Sequence, residues 1–151
     1  PFVALCRGNN LLYGKDMRTK ARETLFKIIF SSQFVKPVDG NFRAGMYRAG
    51  ELNEDDVAYC DRLLALIAEH SDDISAVIDG KSRAFPEARL FPADRSALII
   101  AIAEILYMDD VPDKVAANEA ANIVSRYSSE KSAAFVSGIL ASVIADKQGR
   151  A

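Results

Sequence analysis

The chain has 151 residues, half of them hydrophobic and 26% charged, with a formal net charge of −2. This length suits one domain with a sizeable core, and the hydrophobic share excludes a disordered chain. No apolar run approaches the roughly 18 residues of a membrane span, Phe2–Leu5 is too short for a signal peptide, and whole-chain charge gives no sign of nucleic acid.

Residues 1–16 have no helical period. Met17 is an expected natural start, with 1–16 an appended or upstream extension; a variable N-terminal arm is the other reading. Arg18 to Val35 is predicted helical, with Leu25, Phe26, Ile28, Ile29 and Phe30 leaving little polar surface in its second half, as for a core element. Its first turns carry Arg18, Lys20 and Arg22. Positive charge there opposes the helix dipole, so either phosphate contact or a solvated terminus accounts for it. From Lys15 to Lys27 five basic residues face two acidic ones, whereas Glu51 to Asp73 holds eight acids and one base, Arg62. Such asymmetry permits a local anion site that net charge conceals.

Lys36 to Gly50 is predicted to be a loop from its proline and glycines. Asn53 is a good N-cap for a helix from Glu54 to about His70, and a shorter helix follows from Ser71 to near Gly80. Pro86 and Pro92 break the next stretch. A helix then begins at Pro92 or Ala93, with Ala97, Leu98, Ala101, Ile102 and Ile105 facing inward and Ile99 and Ala103 outward. Asp110 to Leu140 reads as two amphipathic helices joined by a polar turn. Pro112 suits a first turn, Val115 to Tyr127 recur at three- and four-residue steps, and Ser128 or Ser129 caps the last helix ahead of Glu130. Residues 147–151 are expected to form a flexible tail after a helical domain spanning 17–146. Cys6 and Cys60 show neither metal-ligand spacing nor a disulfide framework. The single histidine, His70, stands at a helix end with no paired nucleophile. Walker, CxxC, HExxH and GxSxG patterns are all missing; no enzyme activity, metal or cofactor is expected.

Asp110-Val111-Pro112, Lys114-Val115-Ala116, Asn118-Glu119-Ala120, Phe135-Val136 and Gly138-Ile139-Leu140 together resemble the C-terminal pattern DVPxKVAxNEA…FVxGxL of the NusB family of bacterial transcription antitermination factors. Ala21-Arg22-Glu23 with Leu25 to Ser31 resembles that family's first helix, and Asp94 to Ile105 the helix before the DVP turn. The likeness covers Arg18 to Ile144. It departs at the thinner arginine cluster and at Ile99 and Ala103, where an arginine and a tyrosine are usual. Phe85 falls where the family often has an aromatic anchor.

The resemblance implies an all-α fold, a compact bundle of about six to seven helices in two packed subdomains. It also implies a non-catalytic, cytoplasmic protein, monomeric or homodimeric. Such a protein binds boxA-type single-stranded RNA with the small-subunit ribosomal protein NusE and joins an RNA polymerase antitermination complex on ribosomal RNA operons. Two alternatives stand beside it: an RNA-recruiting domain like that at the N-terminus of ribosomal RNA cytosine methyltransferases, and a degenerate member that binds only protein. RNA contact would fall on Arg18, Lys20, Arg22, Tyr127, Lys131 and Phe135, since rings stack on unpaired bases and cations meet phosphates. The other reading of both rings is core filling. Asp94 falls where the family offers an acid to its basic partner.

Overall fold

A computed structural model describes residues 18–33, 39–83 and 90–149. Met17, Val35, Phe85 and the stretch 1–16 lie outside them. The described residues form seven helices and no strand: α1 (18–32), α2 (Gly40–Ala49), α3 (Glu54–Glu69), α4 (Ser71–Ser82), α5 (Pro92–Tyr107), α6 (Asp113–Tyr127) and α7 (Glu130–Gly149).

Local signals set most of these boundaries. Asn53 accepts from the Asp56 amide at 2.8 Å, and the Asp56 carboxylate accepts from the Asn53 amide, a capping box that starts α3. Pro92 occupies the first turn of α5, where its missing N–H is no loss. Ser129 Oγ accepts from the Ser132 amide at 3.0 Å and opens α7.

Three stretches differ from the sequence expectation. The predicted loop at 36–50 contains α2, because Asp39 Oδ1 accepts from the Phe42 amide at 2.7 Å and caps a full ten-residue helix. Its Tyr47 is buried and donates to Asp61 Oδ1 at 2.8 Å, which ties α2 to α3. Helix α4 runs through Gly80 to Ser82. The tail expected at 147–151 is helical through Gly149, because Lys147 Nζ donates to the Ile105 carbonyl at 2.7 Å and to Asp113 at 2.8 Å.

α5 is the axis of the core. It packs against α3, α4, α6 and α7. Ser96–Leu98 and Ile100–Ile105 are all buried, so the helix has no water-facing stripe along its middle. Ala103, expected outward, is fully buried, and Ile99 is half-buried.

α1 lies against α3, α5 and α6. Ala21, Leu25 and Ile28 contribute its apolar core face. The same face carries Arg22, whose Nε donates to Glu104 Oε1 at 2.9 Å and Nη2 to Oε2 at 2.7 Å. Glu119 approaches Arg22 Nη1 at 4.0 Å and accepts from Thr19 at 2.7 Å. Thus a bidentate, fully buried ion pair joins α1 to α5, with α6 alongside. Burial alone would lower the Arg22 pKa, but the Glu104 carboxylate more than offsets it, and the guanidinium is held firmly charged.

Candidate nucleic-acid interface

A helix that buries residues 21, 25 and 28 turns residues 23, 26, 27 and 30 to an adjacent face, by the same three- and four-residue steps. On α1 this second face lies beside the C-terminal end of α6, and the two build one surface. Tyr127, the last residue of α6, is 44% exposed. Its ring lies 5.2 Å from that of Phe26, which in turn stacks on Phe30 at 6.0 Å. Phe26 is buried and Phe30 is 36% exposed, so one core ring is flanked by two rings that reach solvent. Lys27 Nζ sits 5.9 Å above the Tyr127 ring, within cation–π range.

The charges on this surface converge on Glu23. Its carboxylate accepts from the Tyr127 hydroxyl, takes Arg126 Nη1 at 3.2 Å and lies 4.0 Å from Lys27 Nζ. Arg126 and Lys27 keep about half of their side chains in solvent, whereas Glu23 is three-quarters covered. The hydrogen bond to Glu23, with burial and the carboxylate charge, raises the pKa of the Tyr127 phenol, so it stays neutral and donating.

The other expected RNA-contact residues divide. Lys131 is exposed in the first turn of α7, and Phe135 lies one turn further on the same face, half-buried and packed on the core. Both lie beyond the Ser128–Ser129 turn, four and eight positions after Tyr127. Arg18 is 40% exposed, 3.6 Å from Asp110 and 5.3 Å above the Tyr59 ring. Lys20 turns to Glu51, 3.4 Å from its carbonyl and 3.8 Å from its carboxylate. Both point towards α3 and the loop before it, away from Tyr127. Their placement at a helix start is therefore explained by acids on neighbouring segments.

Two expectations are corrected. Arg22 is no surface cation: it is 1% exposed and engaged by Glu104, so a phosphate would have to break a buried ion pair to reach it. Asp94 is likewise 1% exposed and offers no acid to a partner's surface. It faces the start of α7, where the Ser128 and Ser132 hydroxyls favour its charged form, but burial prevails and raises its pKa. The hydroxyls act as nearby dipoles and not as close donors: neither carboxylate oxygen has a hydrogen-bond partner, and Ser128 Oγ donates to Ser132 Oγ at 3.1 Å.

Lys27, Arg126 and Glu23 escaped the sequence reading. The signal was present in the 23, 26, 27, 30 spacing of α1, but only the packing of α6 shows which face remains open. Among the described residues no group of three or more His, Cys, Asp and Glu could hold a metal ion, and no helix is long and apolar enough to cross a membrane.

Comparison with known proteins agrees with this architecture. The NusB transcription antitermination protein of Finegoldia magna is 30% identical over 131 residues, covering 87% of this chain and 96% of that protein. A crystal structure of T. maritima NusB superposes with a TM-score of 0.70 at 27% identity, over 84% of this chain and 89% of that one. A second, of the antitermination factors NusB and NusE in complex with dsRNA, gives a TM-score of 0.77 at 21% identity, over 87% and 98%. The family model for NusB matches residues 18–145, nearly the whole described chain. With its DVP turn, its buried Arg22–Glu104 pair and its seven-helix frame accounted for, this chain belongs to the NusB family.

Proposed function

We propose that this protein is a non-catalytic transcription antitermination factor of the cytoplasm that binds boxA-type RNA together with the ribosomal protein NusE, in the service of ribosomal RNA transcription. The observation that carries this is Tyr127, an exposed ring tilted against Phe26 with Lys27 over its face and Arg126 beside it. Unpaired bases stack on such rings while cations meet the phosphates. Lys131 and Phe135 continue the track, and Arg18 and Lys20 form a distant rim that reaches RNA only after leaving Asp110 and Glu51. Where α5 begins, the group available to a protein partner is the exposed ring of Phe91, 43% accessible, in place of the buried Asp94.

The test is a fluorescence titration of a single-stranded boxA-like RNA and of its duplex, with and without NusE, at low and at physiological salt. Binding should weaken as salt rises, strengthen with NusE, and favour the unpaired strand, whose bases are free to stack. Tyr127→Ala should cost about 1–3 kcal/mol of RNA affinity, with thermal stability nearly unchanged since the ring is half in solvent. No binding at low salt even beside NusE rejects the proposal.

A further inference from the structure

The α1/α6 surface contains its own competitor for phosphate. Of its cations, Lys27 and Arg126 both already face a carboxylate, Glu23, which also holds the Tyr127 hydroxyl. Glu23 sits at the focus of three donors, the position a phosphate oxygen would seek on this surface. We propose that Glu23 is a specificity-determining residue, an internal phosphate mimic that RNA must displace from Arg126 and Lys27, so that polyanions offering charge without a stackable base are rejected. The inference rests on the RNA-binding reading above and deepens it.

The physical argument is one of counter-ions. Polyelectrolyte affinity comes largely from the cations condensed on the RNA, which are released when a protein cation neutralises its phosphates. Where a covalently attached carboxylate already neutralises the cation, phosphate contact exchanges one ion pair for another and little is gained. An unpaired base that stacks on Tyr127 supplies the missing free energy; a duplex, with its bases engaged, does not. Glu23 suits this task by placement: its neighbours Arg126 and Lys27 are half exposed, and the carboxylate is itself still in contact with water, so it can swing away at modest cost.

Glu23→Gln keeps the shape and a hydrogen-bonding partner for Tyr127 while removing the charge. It should bind boxA-like RNA about two- to fivefold more tightly, the range of an exposed ion pair. The slope of log affinity against log salt should steepen by about 0.7 for each cation freed. The gain should be larger for duplex than for single strand, narrowing the preference between them. Arg126→Gln should cost clearly less slope than the about 0.7 of an unpaired cation, and in the Glu23→Gln background it should remove most of the gain.

Equal or weaker binding by Glu23→Gln beside a wild type that binds overturns the inference, leaving Glu23 only as an anchor for the tyrosine ring. A slope loss of about 0.7 in Arg126→Gln alone overturns it too, without any change at Glu23. If neither wild type nor Glu23→Gln binds RNA with NusE present, the antitermination reading itself has failed and the inference goes with it. Melting curves on each variant separate these effects from unfolding.

Discussion

Individual residues in this protein are decided by what surrounds them more than by what they are. Arg22, Arg18 and Lys20 are three cations within five positions of one another, yet one is locked in the core and two are paired at the surface. Breaking the buried pair leaves a charge without a partner, so Glu104→Gln should destabilise the fold by about 3–5 kcal/mol, read in a urea melt. Arg22 substitutions should do the same, which makes them unsuitable as probes of RNA contact. Asp94 gives a prediction of opposite sign. Its folded pKa is raised above the ordinary carboxylate value of 3.8. The folded state therefore keeps this proton where the unfolded chain has lost it, and stability falls as pH rises from 3.8 through the folded value. Asp94→Asn removes the cost of burying a carboxyl that water would leave ionised, and should raise the melting temperature at neutral pH. The gain should fade well below pH 3.8, where both states become protonated; an equal gain at both pH values would contradict the assignment.

Elements follow local chemistry where caps are strong. The Asn53–Asp56 box starts α3 at the residue its sequence predicts, and Asn53→Ala should cost about 1 kcal/mol with RNA affinity unchanged, since the cap stands away from Tyr127. Calorimetry and the RNA titration together check both halves. α2 shows the opposite case. Its two glycines and lack of first-turn acids read as loop, but a single Asp39 cap and the burial of Tyr47 carry ten residues into a helix. Tertiary burial outweighed weak propensity there. At the C-terminus a polar segment that looks ready to fray is held by Lys147, whose ammonium bridges the ends of α5 and α6.

At the scale of the molecule, the placement of α5 matters most. Enclosed by α3, α4, α6 and α7, it forces every helix around it to turn a polar edge outward, and the edge shared by α1 and α6 becomes the Tyr127 surface. A chain of net charge −2 whose surface cations are largely paired internally has little non-specific attraction for polyanions. The wild-type salt slope should therefore be shallow for this chain alone and steeper for its complex with NusE, measured by the same titration over a salt series. A steep slope for the isolated chain would mean that its ion pairs open freely.

The sequence by itself determined the helical class, the starts of α3, α5 and α7, and the family through the DVP and FVxGxL patterns. These are local properties: caps, periodicity and motif spacing act within a few residues of chain. Only the tertiary structure decided that Arg22 and Asp94 are buried, that Ala103 faces inward, and that Glu23, Lys27, Arg126 and Phe30 join Tyr127 on one face. The reason is that burial and ion pairing depend on partners about a hundred positions away, such as Glu23 with Arg126 and Arg22 with Glu104, and no window of sequence contains both members of those pairs.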